Sequence, residues 1–217
     1  MSHPPVNHCE NKKYIPDTWE RRYFIKELPE RFTHKELNKL FDKCCGPTKE
    51  NDLYFITEDP TFNIKLRKPK ERKPSIKLRI LRDKREELEL WHTEIDKKLP
   101  APPEVWNKVL AKLKIKRDIM ELLSKCSEPF QVKQVLLTAQ PNLLHREICK
   151  HRTRYIGPQG EVEVVEIPID RSSIYSVSFE SKSADPDQVL AILDKLSADG
   201  LGEPKSYTKY LLENSLS

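Results

Sequence analysis

The amino-acid sequence predicts a β-dominated α+β fold, an antiparallel barrel of eight or nine short strands with helices at its periphery. Three observations predict it. Short runs rich in aromatic and β-branched residues recur in two blocks. Prolines and Gly-Pro pairs fall mostly between those runs rather than inside them. A stretch with helical spacing of three and four divides the blocks once. Many short strands dispose of their edges best by closing on themselves.

Residues 1–18, with Pro4, Pro5 and Pro16 and no periodicity, read as an extended arm; residues 19–217 read as a single barrel domain. The first strand is expected over Trp19–Leu28. Thr33 caps a short helix to Lys43, with Leu37, Leu40 and Phe41 on one face and Gly46-Pro47 as its stop. Strands follow over Leu53–Thr57, Thr61–Arg67, Ser75–Arg82 and Glu86–Ile95. Pro102-Pro103 opens a helical insert over about 102–126, its apolar face formed by Val105, Trp106, Val109, Leu110 and Leu113. The second block is read as Phe130–Thr138, Leu144–Ile156, Val162–Ile169 and Ile174–Glu180, followed by helices from Asp185 to Leu196 and from Ser206 to Leu212.

The chain has 217 residues, with 39 Lys+Arg against 34 Asp+Glu for a net charge of +5. That length suffices for one buried core. Only five glycines are present, which excludes a glycine-rich phosphate loop. No apolar run approaches the roughly 18–20 residues of a membrane helix, and Met1–Lys13 lacks the apolar centre of a secretory signal. Five cysteines, an odd number without any C-x-x-C pair, read as reduced thiols in a cytoplasmic, intracellular setting and argue against structural zinc.

Alternation across the strands sorts the charge. Asn63, Lys65 and Arg67 oppose Phe62, Ile64 and Leu66; Lys77 and Arg79 oppose Ile76, Leu78 and Ile80. Arg146, Lys150, Arg152 and Arg154 share one face, as do Glu87, Glu89 and Trp91, and as do Glu20, Arg22, Phe24 and Lys26. Like charges side by side repel, so concentrated basic faces require a polyanion, a counter-ion or acidic neighbours. A cleft lined this way focuses potential on phosphates. The Lys68–Lys73 run, KPKERK, reads as a solvated turn, with an RNA contact as the other reading.

Lys65-x-Arg67, Lys77-x-Arg79, REELELW with Glu87 and Glu89, KHRTRY over Lys150–Tyr155, Asp170-Arg171, SFES around Glu180 and the closing GEPKSYTKYLL together resemble the CYTH superfamily of triphosphate tunnel enzymes. The resemblance spans about residues 19–213. It implies an eight-stranded barrel with inward basic and acidic side chains. It also implies a triphosphate, nucleotide or polyphosphate ligand, RNA ends included, and Mg²⁺ or Mn²⁺ as cofactor. Carried onto this chain, the phosphate-binding residues are Arg22, Lys26, Lys65, Arg67, Lys77, Arg79, Lys150, Arg152 and Arg154, and the metal ligands are Glu87, Glu89, Asp170 and Glu180. The family pattern Glu-x-Glu-x-Lys on the first strand, with its lysine on Lys26, meets Arg22 and Phe24 in place of the glutamates. Two readings therefore stand: a metal-dependent triphosphatase, or a catalytically inactive module that binds phosphate chains, nucleotides or RNA ends.

Overall fold

Eight antiparallel strands close into a barrel in the order β1-β5-β4-β3-β2-β6-β7-β8, with β8 returning to β1. They are β1 (Thr18–Ile25), β2 (Lys43–Phe55), β3 (Phe62–Pro69), β4 (Ser75–Arg85), β5 (Leu88–Lys98), β6 (His145–Gly157), β7 (Gly160–Ile169) and β8 (Ser172–Ser181). The helices are α1 (His34–Leu40), α2 (Pro103–Leu113), α3 (Met120–Lys125), α4 (Pro129–Ala139), α5 (Asp187–Lys195) and α6 (Tyr207–Glu213). The structure is a computed structural model describing residues 17–214 apart from 71, 171, 182–184 and 199. The arm expected over 1–18 therefore lies, up to residue 16, outside the described residues.

Apolar strand faces point outward and are covered by helices, which leaves the polar faces inside. Leu53, Phe55, Phe62, Ile64, Leu66, Ile76, Leu78 and Ile95 pack beneath α2, α3 and α4 on one flank. Trp19, Tyr23, Leu88, Tyr155, Val162, Val164, Val177 and Phe179 pack beneath α1 and α5 on the other. Burying a large apolar side chain stabilises by about 1.5–3 kcal/mol, so both flanks strongly favour this register. A slip of one residue would turn charge into both cores.

Two elements differ from the sequence reading. The ninth expected strand, Phe130–Thr138, is α4. Pro129 stands in its first turn, Gln131 Oε1 accepts the Glu128 backbone N–H at 3.1 Å, and Val132 and Leu136 bury one face four residues apart. The helical insert thus runs from Pro103 to Ala139. Gly46-Pro47 does not stop a helix; α1 already ends at Leu40, and the pair lies in a bulge of β2, where the register with β6 shifts between Cys45 and Thr48. Gly46 has φ +125°, and a Cβ there would meet the Arg152 carbonyl oxygen at 2.6 Å. Only glycine allows that approach, and Pro47 withdraws no needed donor at a bulge.

The barrel has one filled end. Tyr54, Ile56, Ile148, Val165 and Ile167 point into it and meet Tyr207 and Leu211 of α6, with Phe24 and Tyr210 stacked at 3.9 Å between ring centroids. The segment leading into α6 lies against β1, since Lys205 N–H donates to Arg22 O at 2.8 Å.

Trp106 on α2 is fully buried and its Nε1 donates to Ala101 O at 3.0 Å. Trp106→Ala is expected to cost about 3–5 kcal/mol in a urea titration; a loss below about 1 kcal/mol would mean that the helical insert does not seal this flank.

Candidate functional site

The strands set successive inward residues about two positions apart, so the interior is built in rungs from Phe24, Tyr54 and Val165 at the filled end to Glu20, Glu50 and Arg154 at the other. Between those ends the interior mixes cations and carboxylates. Asp52 on β2 is fully buried and meets Lys65 Nζ at 2.9 Å, Lys150 Nζ at 3.0 Å and Arg67 Nε at 3.0 Å. Burial alone would raise its pKa; Lys150, Lys65 and Arg67 outweigh that and hold it well below the usual carboxylate range. Lys150 also donates to Tyr54 Oη at 2.6 Å and lies 3.8 Å from the Tyr207 ring centroid. Burial and the neighbouring Arg67 push the Lys65 amine well below its ordinary value.

The next rung toward the mouth holds Glu50 between Arg67 Nε at 3.2 Å and Arg152 Nη1 at 3.2 Å. Arg152 Nε also contacts Glu163, and Arg154 Nη1 lies 3.6 Å from Glu161. A second cluster forms on the β1–β8–β7 wall. Arg22 Nε donates to Glu20 Oε1 at 2.7 Å, Nη1 to Ser176 Oγ at 2.7 Å, and Nη2 to Glu163 Oε1 and Glu180 Oε1, each at 3.4 Å. Arg79 Nη1 reaches Glu20 Oε2 at 2.8 Å. Burial raises Glu20, but Arg22 and Arg79 bring it down to about 2. Glu180 goes the other way, pushed up to about 7 by burial and then by Glu20 and Glu163, with Arg79 and Arg22 opposing.

These positions sort the residues that the sequence singled out. Arg22, Lys65, Arg67, Lys77, Arg79, Lys150, Arg152 and Arg154 line the interior or its mouth, with Lys77 Nζ 3.8 Å from Asp96. Lys26 is exposed just beyond β1. The four carboxylates assigned to a metal do not come together. Glu180 is inside, and Glu89 accepts the Trp91 Nε1 hydrogen at 3.1 Å. Glu87 lies in the β4–β5 turn against Arg21, and Asp170 lies exposed in the β7–β8 turn. Sequence reasoning passed over Glu50, Asp52, Glu161, Glu163 and Ser176, and did not assign Glu20 a role. The alternation of Glu50 and Asp52 in KENDLYF, and of Glu161 and Glu163 in GEVEV, carried that signal at period two.

No group of three or more His, Cys, Asp or Glu among the described residues is placed to hold a metal ion. The carboxylates that do converge, Glu20, Glu163 and Glu180, converge on the Arg22 guanidinium, which uses their oxygens as acceptors. A Mg²⁺ or Mn²⁺ ion, which needs several oxygen ligands turned toward one point, does not fit this arrangement.

Beyond Glu50 the barrel opens into a cavity of about 730 Å³, lined by Lys49, Arg67, Lys70, Arg72, Lys98, Arg152 and Arg154, with Glu50 and Asp96 as its acidic members. Lys70 and Arg72 come from KPKERK, so this turn forms part of the mouth. Lys68 instead pairs with Glu128 at 2.7 Å.

No protein-family model matches the chain, and no curated protein matches it. Solved structures do. HpAC1 from Hippeastrum, studied as an adenylyl cyclase and described as having a dominant triphosphatase activity, is 15% identical over 92% of this chain and 96% of its own, with TM-score 0.53. PH1012 from Pyrococcus horikoshii OT3 is 14% identical over 86% and 94%, with TM-score 0.51. A chain of the Schizosaccharomyces pombe Mediator head module is 10% identical over 84% and 96%, with TM-score 0.50. At these identities the likeness shows the fold alone, a closed eight-stranded antiparallel barrel.

Glu180 generates a pH prediction. Its folded pKa of about 7 stands above its ordinary 4.5, so folding takes up a proton between those values and stability falls as pH rises through that window. The charges facing it are Glu20 and Arg22 from β1, Glu163 from β7, Arg79 and Lys77 from β4, and Arg152 from β6. Glu180→Gln is expected to stabilise the protein on the order of 1–3 kcal/mol near pH 8 and to flatten the dependence between about pH 5 and 8. Thermal melts across that range read both; an unchanged slope would show that Glu180 is ionised throughout.

Proposed function

We propose that this protein binds a triphosphate or a similarly short phosphate chain, free or carried by a nucleotide, in the open end of its barrel, and that it does so without a divalent metal ion. The observation that carries this reading is the mouth cavity, with seven cationic side chains against Glu50 and Asp96. Low-dielectric walls focus such a field, and arginine presents paired donors matched to phosphate oxygens. Tyr54, Tyr207 and Phe24 fill the far end, so a ligand approaches from the mouth. The likeness to HpAC1 supports a polyphosphate ligand. The same barrel occurs in a Mediator head module chain, so the choice between binding and hydrolysis rests on side chains rather than fold. Here Arg22 among the acidic residues favours binding.

Hydrolysis is the second reading, favoured by the presence of Glu20, Glu163 and Glu180 on one wall. It requires Arg22 to leave them.

Inorganic triphosphate is expected to raise the melting temperature through linkage to the folded state, equally in EDTA and in Mg²⁺. Arg72→Ala with Arg154→Ala, both at the partly exposed rim, is expected to remove most of that shift; an unchanged shift would place the ligand elsewhere. Phosphate release from a panel of triphosphates should stay at background with Mg²⁺ or Mn²⁺. Brisk release would sink the metal-free binding reading in favour of hydrolysis. Neutralising Lys68, Lys70, Arg72 and Lys73 should weaken RNA 5′-triphosphate and inorganic triphosphate together, because Lys70 and Arg72 share the cavity. Loss of RNA alone would separate the two sites.

A further inference from the structure

We propose that Arg22 is a resident cation of the barrel, occupying the point where Glu20, Glu163, Glu180 and Ser176 converge, and that removing its guanidinium uncovers a divalent-cation site in their place. This inference is independent of whether a polyanion binds at the mouth.

Three strands bring the acceptors to one point. Glu20 and Glu180 are directly paired across β1 and β8, Glu161 is paired with Glu180 across β7 and β8, and Glu163 stands two residues further along β7. Three carboxylates so close, with Glu20 and Glu163 almost fully buried, repel strongly in a medium that screens little. They persist together only with a cation between them or with a proton on one of them. Arg22 is the cation that all three share, its backbone position on β1 fixing where the charge sits, while Arg79 pairs with Glu20 and Arg152 with Glu163 from the outside of the cluster. Its guanidinium spends Nε on Glu20, Nη1 on Ser176 and Nη2 on Glu163 and Glu180, so its donor fork is used on all sides.

The far face of the guanidinium is held by a different element. Its Cζ lies 4.7 Å from the Tyr207 ring centroid, and the Arg22 carbonyl accepts the Lys205 N–H. The segment into α6 therefore clamps both the backbone and the side chain of the same residue. A cation positioned by packing and by a covalent tether cannot be exchanged with solvent, unlike a bound metal ion. Without it, the three carboxylates and the Ser176 hydroxyl are oxygen ligands of the kind that a hard divalent ion takes, with waters completing the shell.

The test is Mn²⁺ binding in the absence of phosphate, followed by loss of the free-ion electron paramagnetic resonance signal. Wild type should leave the signal unchanged. Arg22→Ala should bind Mn²⁺ at least about tenfold more tightly, and Arg22→Ala with Glu163→Gln should lose that gain. Arg22→Lys, which keeps a charge on the same strand face, should behave as wild type. If Arg22→Ala is unfolded alone, Mn²⁺ should restore its cooperative melt. Failure of Mn²⁺ either to bind or to refold the variant would overturn the proposal. So would wild-type Mn²⁺ binding that Glu20→Gln abolishes, because the site would then be open with Arg22 present. Neither result bears on triphosphate binding, which the thermal shift reads separately.

Discussion

The structure depends on a charge-paired interior. An ion buried alone costs several kcal/mol even after relaxation, and deleting one partner of a buried pair costs about 3–5 kcal/mol. The barrel turns many ions inward, and like charges meet between some neighbouring strands, as at Lys65–Lys77 and Glu20–Glu180; it stays closed because these groups find opposite charge on other strands of the wall. Asp52 on β2 gathers Lys65, Arg67 and Lys150 from β3 and β6; Glu163 on β7 takes Arg152 from β6 and Arg22 from β1; Glu20 takes Arg79 from β4. These pairs run around the circumference and tie together strands far apart in sequence. The helices supply the apolar driving force outside, and the ion pairs make the resulting polar interior tolerable.

Charge balance weakens away from the filled end. Around Tyr54 and Tyr207 the interior is apolar and aromatic, with Lys150 lodged against both rings. In the middle rungs acids and bases nearly cancel. At the mouth Lys49, Lys70, Arg72 and Lys98 stand against few acidic residues. The interior is thus poor in unpaired charge where solvent is excluded and rich in it where a ligand enters. That gradient separates an anion site at the rim from a structural ion network behind it, with Glu50 at the boundary between Arg67 and Arg152.

Much of this was legible in the sequence. Alternation in FNIKLRK and SIKLR put lysine and arginine on one face, and the apolar partners Ile64, Leu66, Ile76 and Leu78 did go beneath helices. The segment 130–138 misled because its apolar residues fit a buried strand as well as a helix over so short a run; Pro129 and the Glu128–Gln131 pairing carried the decisive signal. The first half of β2 was hidden because Gly46-Pro47 reads as a stop, and only the closeness of the β6 backbone makes it a bulge. The acidic half of the interior was harder. Glu20, Glu50, Asp52 and Glu163 are scattered over β1, β2 and β7, and pairing partners that lie far apart in the chain cannot be read without the strand order. Arg22 looked like a substitution on one strand and became, in three dimensions, the centre of a carboxylate cluster.

The central claim is that this barrel holds a phosphate chain with its own cations. Calorimetric titration of inorganic triphosphate into the wild-type protein in EDTA, repeated at rising salt, tests it most directly. The account predicts saturable binding with one ligand per chain in the absence of metal, weakening steeply as ionic strength rises. Binding that appears only when Mg²⁺ or Mn²⁺ is added, or none under any condition, would contradict it.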